Sequence, residues 1–110
     1  MRLQTLMSES LSLAGRSAVV TGAGRGFGEQ IAVELAALGA RVAVLDVDEE
    51  AAERCAARLR AGGARAIAVT CDVADPEGVE AAFEELRKEI DEVDLLVNNA
   101  GIVTSPPSSS

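Results

Sequence analysis

The sequence predicts an α/β chain built on a doubly wound parallel sheet, and three features of its 110 residues predict it. From Ser17 onward, short apolar runs alternate with longer segments of helical period, the pattern of parallel strands joined by crossover helices. Those runs are nearly unbroken, as in strands covered on both faces; a sheet with one wet face would alternate apolar and polar residues. The first strand passes into the first helix through a glycine-rich turn, Gly22 to Gly28.

Ser17-Ala18-Val19-Val20-Thr21 is the first strand. In the first helix Phe27, Ile31, Leu35 and Leu38 recur at i, i+4, i+8 and i+11, which predicts a single buried stripe with Phe27 in the core, and Gly39 stops the helix. Val42 to Leu45 is the second strand. Charges mark the second helix: Asp48 can cap it, Glu49, Glu50 and Glu53 lie near its start, and Arg54, Arg58 and Arg60 lie toward its end, as the helix dipole favours. Gly62-Gly63 ends it, and Ala66 to Val69 is the third strand. The third helix opens with Asp75 as N-cap and Pro76 at its first position, and Val79, Phe83, Leu86 and Ile90 form its apolar face. Leu95 to Val97 is the fourth strand.

Right-handed crossovers then place the second and third strands to one side of the first and return the fourth to its other side. The predicted order is 3-2-1-4, a Rossmann-like sheet with a crevice where the order reverses. Gly22 to Gly28 and Asn98 to Gly101 are expected to face each other across that crevice. The fourth strand is left as an edge, with Leu95, Leu96 and Val97 uncovered, which predicts weak stability or self-association.

Composition narrows the chemistry. Apolar residues make up 48% and charged residues 25%, the balance of a folded domain. A net charge of −8 argues against an electrostatic grip on nucleic acid or on an anionic membrane. With no His, Trp or Tyr, no imidazole or phenol is available as acid, base or metal ligand. Met1 to Leu13 lacks the continuous apolar core of a signal peptide, and no run approaches the roughly 18 apolar residues of a membrane span. Cys55 and Cys71 do not form a C-x-x-C pair and read as buried, reduced thiols of a cytoplasmic protein. Asp48-Glu49-Glu50 reads as a solvated helix start, and Asp91, Glu92 and Asp94 as turn residues.

The turn Thr21-Gly22-Ala23-Gly24-Arg25-Gly26-Phe27-Gly28 carries the functional signal. Glycines let a backbone come close to a pyrophosphate, and the following helix offers unpaired N–H groups and the positive end of its dipole. The common G-x-G-x-x-G/A spacing fails, because its last position falls on Phe27, Glu29 or Ile31. No G-K-[ST] of a P-loop occurs either. The spacing that fits is T-G-x-x-x-G-x-G. Asp46, 18 residues after Gly28 at the end of the second strand, can accept hydrogen bonds from an adenosine ribose and would repel a 2′-phosphate. The plainer reading of Asp46 is a cap on the turn that follows it.

This turn, Asp46, Asp72-Val73 after the third strand and Asn98-Asn99-Ala100-Gly101 after the fourth together resemble the short-chain dehydrogenase/reductase family. The resemblance runs from about Leu13 to Val103 and implies an N-terminal, cofactor-binding part: an extension over 1–12, a dinucleotide-binding half-domain over 13–103 and a Pro/Ser tail over 104–110, with the sheet truncated after its fourth strand. It implies that Gly22, Gly26 and Gly28 shape the turn around the pyrophosphate, with Arg25 and the Phe27 backbone N–H beside it. It further implies that Asp72 and Val73 hold the adenine, and that Asn99 and Gly101 border the ribose next to the nicotinamide. Arg25 points toward NADP and Asp46 toward NAD; the acid at the strand end decides for NAD. The Ser, the Tyr with its Lys four residues on, and the Asn of the family's chemistry are absent, Lys88 being the one lysine. The 110 residues are therefore expected to show no turnover. Two readings stay open: part of an oxidoreductase that moves hydride between nicotinamide and an alcohol/carbonyl pair, and a non-catalytic dinucleotide-binding module. The first implies a small-molecule substrate and a homo-oligomer in a full-length form.

Overall fold

Five consecutive buried residues, Ser17–Thr21, form β1, the strand around which the chain is wound. The computed structural model describes residues 12–24 and 26–99. After β1 come α1 (Gly26–Ala37), β2 (Arg41–Asp46), α2 (Glu49–Ala61), β3 (Ala66–Thr70), α3 (Pro76–Arg87) and β4 (Leu95–Asn98). All strand pairs are parallel and the sheet order is β3-β2-β1-β4, as the crossover rule predicts. Strand bounds differ from the sequence reading by a residue at an end, because polar Arg41, Asp46, Thr70 and Asn98 continue the ladders beyond their apolar cores.

Successive side chains of a strand point to opposite faces, and the central strands use both. Ala18, Val20, Val42 and Val44 face α1 and α2, packing with Ala32, Cys55, Ala56 and Leu59. Val19, Ala43 and Leu45 face α3, packing with Ala82, Leu86 and Ile90. Two crossovers on one face and the third on the other produce the reversal between β1 and β4. The caps are those the sequence predicts: Asp48 accepts from the Glu50 and Ala51 N–H groups, Asp75 from Glu77, and Pro76 opens α3.

Helix α1 departs from its predicted face. Its buried residues are Gly28 and Ala32, with Leu38 buried just beyond its end, whereas Phe27 is 81% exposed and Ile31 is half-buried. The far end of the apolar stripe meets the core, with Leu38 buried and Leu35 packed against it, whereas at the start of the helix Gly28 and Ala32, one residue on from Phe27 and Ile31, make the contact. There α1 lies so close to the sheet that its contact residues must be small, and the large apolar side chains flank them. The expectation that Phe27 is core is therefore wrong.

Only β1 pairs with β4 among the described residues, and Leu96 on that edge is 59% exposed beside exposed Leu95 and Val93. Asp94 does more than shape a turn. Its Oδ2 accepts the Ser17 N–H at 2.9 Å and its own N–H donates to the Ser17 carbonyl at 2.9 Å, tying the chain before β4 to the start of β1.

Candidate functional site

Thr21 ends β1 opposite Leu45 of β2 and Asn98 of β4, at the carboxyl edge where the strand order reverses. Its hydroxyl donates to Asn98 Oδ1 at 3.0 Å and accepts the Asn99 N–H at 2.9 Å. Asn99 Nδ2 in turn donates to the Gly22 carbonyl at 3.3 Å. The glycine turn and the end of β4 thus face each other and are bonded together, as the sequence predicts of Gly22 and Asn99. The motif T-G-x-x-x-G-x-G includes Thr21 but gives its hydroxyl no role; the bonds to Asn98 and Asn99 come from the pairing of β1 with β4.

Two glycines explain the spacing of the turn. A Cβ on Gly28 would lie 2.2 Å from the Gly22 carbonyl oxygen and 2.8 Å from Asn99 Nδ2, so only glycine lets α1 start this close to β1 and β4. Gly26 has φ +63°, and a Cβ there would meet nothing within 4 Å. Its open side is where a ligand can approach the backbone. The first-turn N–H groups of α1 have no intrahelical acceptor and carry the positive end of the helix dipole. Glu29 in that turn is paired with Arg58 of α2 at 2.9 Å, which offsets its charge near the helix start.

Asp46 is 8% exposed, and both its oxygens are engaged: Oδ2 accepts the Gly24 N–H at 2.9 Å and Oδ1 the Asp48 N–H at 3.0 Å. The plainer reading, a cap on the following turn, is therefore present, and the same carboxylate also holds the glycine turn. Gly24, which the motif leaves as a variable position, is the partner sequence reasoning missed. A carboxylate oxygen accepts more than one hydrogen bond, so these contacts leave acceptor capacity for ribose hydroxyls.

Beyond β3, Asp72 is exposed and its Oδ1 accepts the Ala74 N–H at 3.0 Å, shaping the turn into α3. Val73 is half-buried and packs against the α3-side core. The Cys71 N–H donates to the Asp46 carbonyl at 3.0 Å, which fixes this turn beside the end of β2. Asp72, Asp46, the glycine turn and Asn99 therefore stand in order along the carboxyl edge of four adjacent strands, a span of about 14 Å at the usual strand spacing. Arg25 and Gly101 lie outside the described residues.

Neither thiol is a nucleophile candidate. Burial, Glu29 and Asp46 push Cys55 up to about 11 against a smaller opposing effect of Arg58. Burial and then Asp72 and Asp75 raise Cys71. Lys88 caps the far end of α3, 3.9 Å from Glu85, and takes no part in the carboxyl edge. No helix among the described residues is long and apolar enough to cross a membrane.

The sequence profile described as short chain dehydrogenase matches residues 16–110. Among similar curated proteins, epidermal retinol dehydrogenase 2 of Homo sapiens is 39% identical over 94 residues, covering 84% of this chain and 30% of that protein. The 7alpha-hydroxysteroid dehydrogenase of Escherichia coli K12 is 37% identical over 94 residues, covering 86% of this chain and 37% of that one. A crystal structure of a hydroxysteroid dehydrogenase from Escherichia coli superposes with a TM-score of 0.79 at 37% identity, over 82% of this chain and 38% of the other. The chain spans about a third of the length of the curated relatives it matches.

Proposed function

The chain belongs to the short-chain dehydrogenase family, whose members bind a nicotinamide dinucleotide, and from that premise we propose that the carboxyl edge of its sheet is an NAD site. The observation that carries the reading is the alignment of Asp72, Asp46, the Gly22–Gly28 turn and Asn99 along one edge, with the open side of Gly26 at its centre. Asp72 and Val73 would border the adenine, Asp46 the adenosine ribose, the turn and the α1 N-terminus the pyrophosphate, and Asn99 the second ribose. Gly101 and Arg25 extend the same assignment by family resemblance alone.

Backbone does most of the holding of the pyrophosphate, because no described side chain at this edge is basic. The N–H groups at the start of α1 offset the pyrophosphate charge. Asp46 favours NAD over NADP: a buried carboxylate that can accept from ribose hydroxyls would face a 2′-phosphate at close range with little screening. Exposed Phe27 stands at the first turn of α1, where its ring can cover a bound dinucleotide and exclude water.

When bound, the nicotinamide donates or accepts hydride, and we assign the 110 residues to the cofactor-holding part of a protein that exchanges it with an alcohol/carbonyl substrate. The names of the dehydrogenases similar to this chain support that class. Its two buried thiols suit a reducing compartment, and we place the protein in the cytoplasm. Calorimetric titration tests the cofactor choice. Asp46→Ala is expected to weaken NAD much more than NADP, and equal losses for both would refute the assignment.

A further inference from the structure

At the opposite end of the sheet, the amino ends of β2 and β3 and the segment just after α3 line an open cavity of about 370 Å³ that the nucleotide reading does not use. Three arginines line it: Arg41 opens β2, Arg65 immediately precedes β3, and Arg60 lies in the last turn of α2. Ile67 and Ile90 contribute apolar walls, and Glu89 is the one acid among the lining residues. In a chain of net charge −8, three cations gathered around one apolar cavity are a local reversal of sign.

The arginines are not equally committed. Arg60 is fixed in place, its Nε donating to the Ala66 carbonyl at 2.9 Å and its Nη1 to Glu53 at 3.1 Å. Arg41 makes one long contact, 3.5 Å from Nη1 to the Glu89 carbonyl. Arg65 is exposed and has no ion pair among the described residues. A guanidinium carries five donors, so Arg41 and Arg65 retain a fork for an anion after these contacts.

We propose that this cavity binds a small organic carboxylate with a flat or short-chain apolar body. The guanidinium groups recognise the carboxylate, and the isoleucine walls take up the body. The volume lies within the range of small-molecule sites. With Arg60 paired to Glu53, the remaining lining charges Arg41, Arg65 and Glu89 leave a single net positive charge, which one carboxylate balances and a phosphate ester dianion exceeds. The site is roughly 17–20 Å from the glycine turn, the length of one strand, so it can be filled together with the nucleotide edge.

Fluorescence titration of the full 110-residue chain with 2-naphthoate tests this, with neutral 2-naphthamide and dianionic 2-naphthyl phosphate as controls. Saturable naphthoate binding is expected, with both controls weaker and NAD at saturation leaving it unchanged. Arg65→Gln, which removes no hydrogen bond among the described residues, should weaken naphthoate roughly fivefold, the scale of one partly exposed ion pair. Glu89→Gln should tighten it, a gain that a damaged fold would not give. Absence of saturable binding, equal binding of the amide, competition by NAD, or indifference to Arg65→Gln would each overturn the proposal.

Discussion

Asp46 holds Gly24: its Oδ2 accepts the Gly24 N–H at 2.9 Å while its Oδ1 accepts the Asp48 N–H at 3.0 Å. One buried carboxylate thus joins the turn after β1 to the turn after β2. The conformation of the glycine turn and the choice between NAD and NADP consequently depend on the same side chain.

Substitution at this position should therefore change stability before any cofactor is added. Asp46→Ala leaves two backbone donors without their acceptor and is expected to cost about 1–3 kcal/mol. Asp46→Asn keeps one accepting oxygen and should cost less. Urea denaturation of the three proteins without nucleotide measures both; equal stability of wild type and Asp46→Ala would show that the clasp contributes nothing.

Gly28 and Gly26 should separate packing from binding. Gly28→Ala places a methyl 2.2 Å from the Gly22 oxygen, so α1 must shift, at a cost of about 1–3 kcal/mol or more. Gly26→Ala meets open space and bears chiefly the left-handed backbone cost, about 1–2 kcal/mol. Its methyl projects toward the proposed pyrophosphate, so NAD affinity should fall far more than stability does. Denaturation and calorimetry on both variants provide the comparison, and a Gly26→Ala protein that binds NAD as wild type does would remove the pyrophosphate from this turn.

Most of the sheet was legible because strands buried on both faces leave unbroken apolar runs, and one crossover rule then orders them. Asp48, Asp75 and Pro76 were legible as local chemistry, since a cap needs only its own helix. The face of α1 was not. Its position is set by the approach of Gly28 to Gly22 and Asn99, a long-range contact of small groups that hydrophobic periodicity does not register, so periodicity alone puts Phe27 in the core although it is exposed. Asp46 was found as a candidate, but its bond to Gly24 requires two turns to meet in space. The arginine cavity draws on three separate segments and left no local signal.

Cys55 gives the protein an alkaline sensitivity. Its thiol titrates near the ordinary 9.0 when unfolded and at about 11 in the fold, so the folded state favours the neutral form. This contribution to stability is fully present below about pH 9 and is lost as pH rises toward 11. Urea midpoints should fall across that window in wild type and fall less in Cys55→Ala. A thiol reagent at neutral pH should label neither cysteine until the chain unfolds; rapid labelling of the native protein would contradict their burial.

The β4 edge predicts association. Leu95 and Leu96 are exposed on a strand that has one partner among the described residues, and a parallel edge of that kind invites a second chain. Sedimentation velocity should show concentration-dependent self-association of the 110-residue chain, reduced by Leu96→Lys. A monomer at all concentrations would place the edge among harmless exposed strands.

A dinucleotide is expected along the carboxyl edge of the sheet and nowhere else on the chain. Amide chemical-shift mapping of the 110-residue chain during an NAD titration measures this directly. Saturable shifts should gather at Gly22, Gly26–Gly28, Asp46, Asp72 and Asn99 and leave Arg41 and Arg65 at the other end of the sheet unmoved. Shifts confined to the amino end, or none at saturating NAD, would contradict it.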